Sequence, residues 1–291
     1  MTTARLWFAG ARPRTLGAAV APVVVGTAAA HQCSGTTSWG RAVLALVVAL
    51  AMQVGVNYAN DYSDGVRGTD RDRKGPVRLT ATGLASPRSV ATAAGLAFLV
   101  AAGAGLALAA LVSWWLVVVG AGSILAALGY TGGPRPYGYH GLGEVMVLAF
   151  FGFVATAGSA YVQVERVPAT AWWGSLTVGL LATAILVANN VRDLDSDTQA
   201  GKRTLAVRLG SGRARSLYAV CIAGSFLAVL PSALIDAPWV LLALLAVPLA
   251  LAPTRVVLRS TQAPALVGAL VATARLEVVV AMLLGLGLWI S

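Results

Sequence analysis

Residues 42–64 read AVLALVVALAMQVGVNYANDYSD, an apolar stretch of bilayer-spanning length that runs into Asn57, Asn60, Asp61 and Asp64. Backbone groups in lipid find no water to bond, so such a stretch must satisfy itself as a helix. Aspartate is costly inside a membrane, and also in a dry core, unless it is paired or holds a cation. The pattern recurs at residues 170–191, a second apolar stretch that ends in Asn189-Asn190-Val191-Arg192-Asp193-Leu194-Asp195-Ser196-Asp197. Of the 11 acidic residues in the chain, Asp61, Asp64, Asp70, Asp72, Asp193, Asp195 and Asp197 fall in these two neighbourhoods. Such concentration asks for an ion, and the ion asks for a substrate.

Working outward, apolar runs recur from Leu16 to Trp289, and only 11% of residues are charged, against about 25% in soluble domains. The chain reads as all-α, a polytopic membrane helical bundle forming one integral-membrane domain over 1–291. About nine spans are expected, roughly 16–32, 42–62, 88–111, 113–130, 143–163, 170–191, 213–232, 237–252 and 264–289. With the N-terminus inside, eighteen Lys and Arg gather on one side, Arg41 and Arg166 lie on the other, and Arg275 falls within the last span. That asymmetry predicts a cytoplasmic N-terminus, an outer C-terminus, and both carboxylate clusters facing a cavity on the cytoplasmic side.

The net charge of +10 then reports topology and anionic substrates or lipids, not nucleic acid, for which no aromatic-rich soluble module is present. The first apolar run follows Arg5, Arg12 and Arg14 in the manner of a signal peptide, but the topology fits best with it retained. Tryptophans from Trp7 to Trp289 cluster near expected span ends, as an interfacial belt would. Cys33, on the outer side, and Cys221, within a span, suggest neither a disulfide nor a metal pair.

Residues three and four apart share a helix face, which aligns Asn57, Asp61 and Asp64, Asn60 with Asp64, and Asn189 with Asp193 and Asp197. Hard oxygen donors suit Mg²⁺, which shares its coordination shell with phosphates; no Cys or His stands in pattern for zinc. Arg67, Arg71, Arg73, Lys74 and Arg78 follow the first cluster, and Arg192, Lys202 and Arg203 accompany the second. Acids for a metal beside bases for the remaining oxygens describe a diphosphate site. Between them lies a Gly- and Pro-broken loop, 130–144, with Tyr130, Tyr137 and Tyr139 beside Arg135 and Glu144. Its ring faces suit a carbocation left by departing diphosphate. The two Asn–Asp helix ends suggest a weak internal symmetry, with the site at the interface of the halves.

Blander readings compete. Carboxylates at a helix end can simply pair with neighbouring basic residues, although two aligned clusters argue against that alone. Asp72 and Asp195 lie off the aligned faces and read as solvated, His31 and His140 as loop residues, and Arg275 with Glu277 as a mutual or neighbour pair. Glycines in the spans read as close packing. A cation-coupled transporter would place acids near the bilayer midplane on broken helices, whereas these lie at helix ends. A noncatalytic scaffold leaves both clusters unexplained.

In these residues the chain resembles the UbiA superfamily of membrane prenyltransferases, over nearly its whole length. The family's first motif, Asn-Asp-x-x-Asp-x-x-x-Asp, is met at Asn60, Asp61 and Asp64, but its last position falls on Gly68, and Asp70 is the candidate to replace it. The second, Asp-x-x-x-Asp, is met at Asp193 and Asp197. Arg12-Pro13-Arg14-Thr15 and the stretches 135–139, 141–144 and 201–210 are similar to the branch that prenylates 1,4-dihydroxy-2-naphthoate in menaquinone biosynthesis.

The resemblance implies that polyprenyl diphosphate enters laterally from the lipid bilayer of a bacterial cell, with Mg²⁺ on Asp61, Asp64, Asp70, Asp193 and Asp197. It assigns Asn57, Asn60, Asn190, Arg78, Arg135, Arg192 and Tyr130 to substrate binding, and Lys202, Tyr137 and Tyr139 to catalysis alongside the aspartates. Attack by the naphthoate ring at its carboxyl-bearing carbon, with loss of CO₂ and diphosphate, would give demethylmenaquinone. A 4-hydroxybenzoate or homogentisate acceptor remains the alternative, and prenyl length and oligomeric state stay open.

Overall fold

The apolar stretches fold as helices throughout the described residues, 3–69 and 78–291, of the computed structural model, with no strand among them. Expectations for Asp70, Arg71, Asp72, Arg73 and Lys74 fall outside the described residues. In chain order the helices are α1 (Thr3–Gly10), α2 (Gly17–Ser34), α3 (Trp39–Arg67), α4 (Pro87–Leu111) and α5 (Trp115–Thr131). There follow α6 (Gly143–Val164), α7 (Ala169–Arg192), α8 (Leu194–Gln199), α9 (Leu205–Ile235), α10 (Pro238–Arg259) and α11 (Ala263–Trp289).

Seven of these helices are long and apolar enough to cross a membrane, and α1 with α2, bent by 50° at their junction, raise the number to eight. The count is therefore seven or eight among the described residues rather than the nine expected. The difference lies in the fourth expected span, which is the 17-residue α5, and in the first, which is one arm of the bent pair.

Local chemistry sets the boundaries. Ser86 caps α4 by accepting the Ser89 amide at 3.1 Å, with Pro87 at the first helical position, where a missing N–H costs nothing. Pro13 bars Arg12 from continuing α1, and Arg12 takes left-handed backbone (φ 56°, ψ 62°) that residues with a Cβ seldom adopt. Gly68 closes α3 in the same conformation at no such cost (φ 73°). Within α6, Leu148–Val154 winds as a π-turn. Within it Gly152 meets Gly179 of α7 so closely that a Cβ on Gly152 would sit 2.8 Å from the Gly179 Cα.

α7 is the central helix: 72% of its apolar window is buried, against 28% for α4. Its Val178, Leu181, Ala184 and Val187 pack among α2, α9 and α11, while α3 pairs with α4 around Tyr58, Leu79 and Phe98. Trp39, Trp115, Trp172 and Trp239 open α3, α5, α7 and α10, and Trp289 ends α11. Trp289 stacks on Trp39 at 5.7 Å and on His31 at 3.7 Å, which gathers these helix ends on one side. All five indoles are partly exposed, as an interfacial belt requires. The carboxylate clusters sit at the opposite ends of α3 and α7.

Candidate functional site

The bundle brings the ends of α3 and α7, the Tyr loop and the start of α9 around one cavity of about 1380 Å³. It reaches from Asp64 back to Ala45 along α3, about 28 Å at 1.5 Å per residue. Its walls are mostly Ala, Val, Leu and Gly, and its polar end holds Asn57, Asn60, Asp64, Asn190, Asp197 and Lys202.

Asp64, 2% exposed, is the centre of this end. Lys202 approaches its Oδ1 at 3.3 Å, and the Tyr139 hydroxyl donates to the same oxygen. The Lys202 ammonium also lies 4.6 Å from the centre of the Tyr139 ring, and the Arg67 guanidinium 5.5 Å from it, so the ring lies against two cations. Arg67 donates to the Thr131 carbonyl at 2.7 Å and to that of Gly133, fastening the Tyr loop to α3. The Arg203 amide donates to the Tyr139 carbonyl at 2.9 Å, fastening the same loop to the segment before α9.

Burial holds the Tyr139 hydroxyl above its ordinary pKa, and the Asp64 charge and the bond to Asp64 add to that, while bonds from Thr69 and Arg67 pull the other way. Burial alone pushes Tyr137 up to about 12, and its hydroxyl donates to the Ala126 carbonyl at 2.8 Å. Both phenols are thus donors at neutral pH. Tyr130 packs edge-on to Tyr137 at 5.5 Å and lines the cavity with it.

Not every expected residue reaches the cavity. Asp61, 1% exposed, is spent on backbone: its two oxygens accept the Leu79 and Thr80 amides, each at 2.8 Å, and it does not line the cavity. Asp193 also sits behind the lining, where Arg192 donates to it at 2.7 and 2.6 Å and reaches Asn189 at 2.9 Å. Arg192 lines the cavity with its guanidinium committed to this pair. Arg135 is exposed and outside the lining. Arg78 lines the cavity and is 7% exposed, and Asn57 does so while donating to the Ala11 carbonyl at 2.9 Å. Asp195 is exposed, in keeping with a solvated side chain. Glu277 is fully buried in α11 with neither carboxylate oxygen hydrogen-bonded among the described residues, so the expected pairing with exposed Arg275 does not form.

Residues outside the sequence-derived set also matter. Arg12 and Gln53 line the cavity, and Thr131 donates to Asn60 at 2.7 Å. Arg12 belongs to a short piece already singled out, Arg12-Pro13-Arg14-Thr15, but Gln53 lies among apolar residues and gives no local signal.

Among the described residues no three His, Cys, Asp or Glu side chains converge as a ready metal cage. Mg²⁺ rarely needs one: it keeps waters and is held by one or two carboxylates together with substrate phosphates. Buried Asp64 and Asp197, with the amide oxygen of Asn190, form a hard-oxygen set that fits such shared binding.

An apolar cavity that ends in buried charge suits a membrane protein built around an amphiphile with an anionic head. Residues 19–267 match the UbiA prenyltransferase family, and the chain belongs to that family. It is 51% identical over 247 residues to the 1,4-dihydroxy-2-naphthoate octaprenyltransferase of Mycobacterium tuberculosis, covering 84% of this chain and 83% of that one. It is 38% identical over 294 residues to the protein of the same name from Escherichia coli, covering 98% and 95%. Among solved structures, a UbiA homologue from Aeropyrum pernix matches with a TM-score of 0.65 at 15% identity, over 100% of this chain and 98% of that one. A UbiA homologue from Archaeoglobus fulgidus bound to GPP and Mg²⁺ gives 0.58 at 16% identity, over 96% and 99%. These structural likenesses establish the fold.

Proposed function

We propose that this membrane enzyme transfers a polyprenyl group from polyprenyl diphosphate to 1,4-dihydroxy-2-naphthoate, as the names of its Mycobacterium tuberculosis and Escherichia coli relatives state for those proteins. The observation that carries the reading is Asp64, buried at the polar end of the apolar cavity and engaged by Lys202 and Tyr139. A polyprenyl tail fits the apolar walls, and a diphosphate head fits the charged end.

Asp64 and Asp197 hold Mg²⁺ in this reading, with Asn60 and Asn190 alongside. Bound there, the ion neutralises the diphosphate as a leaving group. Lys202, 3.3 Å from Asp64 at this end, would offset part of the charge that develops on the departing diphosphate. In this reading the Tyr139 ring, which lines the cavity beside Asp64, faces the allylic cation left behind. The electron-rich naphthoate ring forms the new carbon–carbon bond at its carboxyl-bearing carbon. Departure of CO₂ then returns the electrons to the ring, giving the reduced form of demethylmenaquinone.

Asp61 serves by holding residues 79–80, and with them Arg78, against the site. Asp193 serves by fixing Arg192. The N-terminus is cytoplasmic in this reading, which puts the charged end of the cavity on the cytoplasmic side of a bacterial cell membrane and the tryptophan belt on the outer side.

The test is turnover by the purified protein in detergent with Mg²⁺, a polyprenyl diphosphate and 1,4-dihydroxy-2-naphthoate, following CO₂, diphosphate and prenylated product. Mg²⁺-dependent naphthoate product with CO₂ release is expected. Product only with 4-hydroxybenzoate would move the acceptor, and no product with either acceptor would overturn the reading.

A further inference from the structure

The asparagines of the two motifs meet the cavity with their amides held in opposite senses. Asn60 has its Oδ1 engaged by the Thr131 hydroxyl, which donates at 2.7 Å. Asn190 has its Nδ2 engaged instead, donating to Glu144 Oε1 at 2.9 Å. All four side chains are buried, at 7% and 6% exposure for the asparagines and 5% for both Thr131 and Glu144. Both asparagines line the cavity, whereas Glu144 lies outside it, at the first turn of α6. The Asn60 Nδ2 and the Asn190 Oδ1 bond to no other protein group among the described residues, and neither is sealed from the cavity.

A primary amide has a donor end and an acceptor end, and whichever is tied down fixes which one is offered. A hydroxyl that donates must take the oxygen of Asn60 and leave its N–H groups. A carboxylate oxygen that accepts must take the nitrogen of Asn190 and leave its carbonyl.

We infer that the two asparagines present opposite ends to the ligand: Asn60 offers its N–H donors to a phosphate oxygen, and Asn190 offers its carbonyl oxygen to the divalent cation. Thr131 and Glu144 are the positioning residues that set this polarity. The inference rests on the diphosphate reading above. An amide oxygen is a hard ligand of the kind Mg²⁺ takes, and outer partners that aim a ligand are typical supports of metal sites. The near-symmetric motifs thus divide the head group between them, one asparagine for the anion and one for its counter-ion.

The probe is Mn²⁺ in place of Mg²⁺ with inorganic diphosphate, free Mn²⁺ being followed by electron paramagnetic resonance on the full chain in detergent. Glu144→Gln, whose side-chain amide lets Asn190 bond in either sense, is expected to weaken Mn²⁺ binding about tenfold. Thr131→Val is expected to raise the KM for polyprenyl diphosphate about fivefold while moving the Mn²⁺ Kd by less than about twofold. Exchanging donor and acceptor between the two positions, as Glu144→Gln with Asn190→Asp, restores an oxygen toward the cation and should return Mn²⁺ affinity to the parent level or better. Thermal unfolding in detergent separates these effects from loss of fold, and Thr131→Val and the exchanged pair test the inference even where Glu144→Gln does not fold. Unchanged Mn²⁺ affinity in folded Glu144→Gln, no recovery in the exchanged pair, or equal shifts of cation and diphosphate in Thr131→Val would each overturn it. A parent protein that binds neither Mn²⁺ nor diphosphate overturns the diphosphate reading itself, and this inference with it.

Discussion

At the end of α3 the helix runs straight past Asp61 and Asp64 to Arg67 before Gly68 closes it. At the end of α7 the helix stops at Asp193 (φ −94°, ψ 7°), and the separate short α8 carries Asp197. Each end has one aspartate that lines the cavity and one that does not, but the hidden partner is used differently. Asp61 accepts two backbone amides and so anchors the chain that returns toward α4. Asp193 accepts a guanidinium from its own neighbour, Arg192, with side chains 3% and 2% exposed. The same sequence motif is thus divided between a cavity-facing acid and a hidden one, and the hidden acid is held by a different kind of donor at each end.

Asp64→Ala strikes the cavity-facing half and carries the largest expected effect. Losing a carboxylate that neutralises charge in the reaction costs several kcal/mol, a fall in kcat/KM on the order of 10³ or more. It also strands Lys202, so Asp64→Asn serves as the control for fold. Diphosphate release beside thermal unfolding in detergent decides it; a folded variant with parental turnover would break the division. Arg192→Met strikes the hidden half of the second end by removing the guanidinium that Asp193 accepts at 2.6 and 2.7 Å. A loss of about 3 kcal/mol in stability is expected, and unfolding as late as the parent would show the pair to be ornamental.

Asp61→Asn tests the other structural acid. An amide can offer only one acceptor to the Leu79 and Thr80 amides, so about 1–3 kcal/mol of stability is expected to go. Asp64→Asn should show the reverse balance, with activity falling further and stability less. If the two variants behaved alike, the contrast between hidden and cavity-facing acids would collapse.

Tyr139→Phe is the mildest. It removes one hydrogen bond to Asp64 and keeps the ring, for about 1 kcal/mol or roughly fivefold in kcat/KM. In the parent, phenols with raised pKa contribute stability that is full below about pH 10 and fades as pH climbs through the folded values, about 12 for Tyr137. An ultraviolet titration should therefore show tyrosinate from these two rings only late, and an early rise that Tyr139→Phe removes would contradict their burial.

Hydropathy made the long helices legible, because in lipid an apolar run of that length has one solution. The count is least legible where length is marginal, as in the 17-residue α5 and the bent arm of α2. The carboxylate pattern pointed to two helix ends that the fold brings to one cavity, although the expected single-helix alignment holds only along α3, since α7 stops at Asp193. What no spacing could reveal was which acid turns inward. For Asp61 that depended on the Leu79 and Thr80 amides, eighteen and nineteen residues further along the chain. Arg135 and Lys202 are both expected at the site, one for substrate binding and one for catalysis. Only the fold buries Lys202 against Asp64 and leaves Arg135 in the open.

The π-turn at Leu148–Val154 makes α6 a helix with two phases. A turn wound with one residue more than the α-helix needs sets the side chains before it about 100° out of step with those after it. In an unbroken helix Glu144 and Gly158, fourteen residues apart in the chain, would point within about 40° of one another. With the extra residue they are separated by about 140°, so Glu144 reaches across to Asn190 while Gly158 opens onto the cavity. Adding or removing a residue in that turn is therefore an exchange of faces, whereas the same change in an exposed loop is only a change of length.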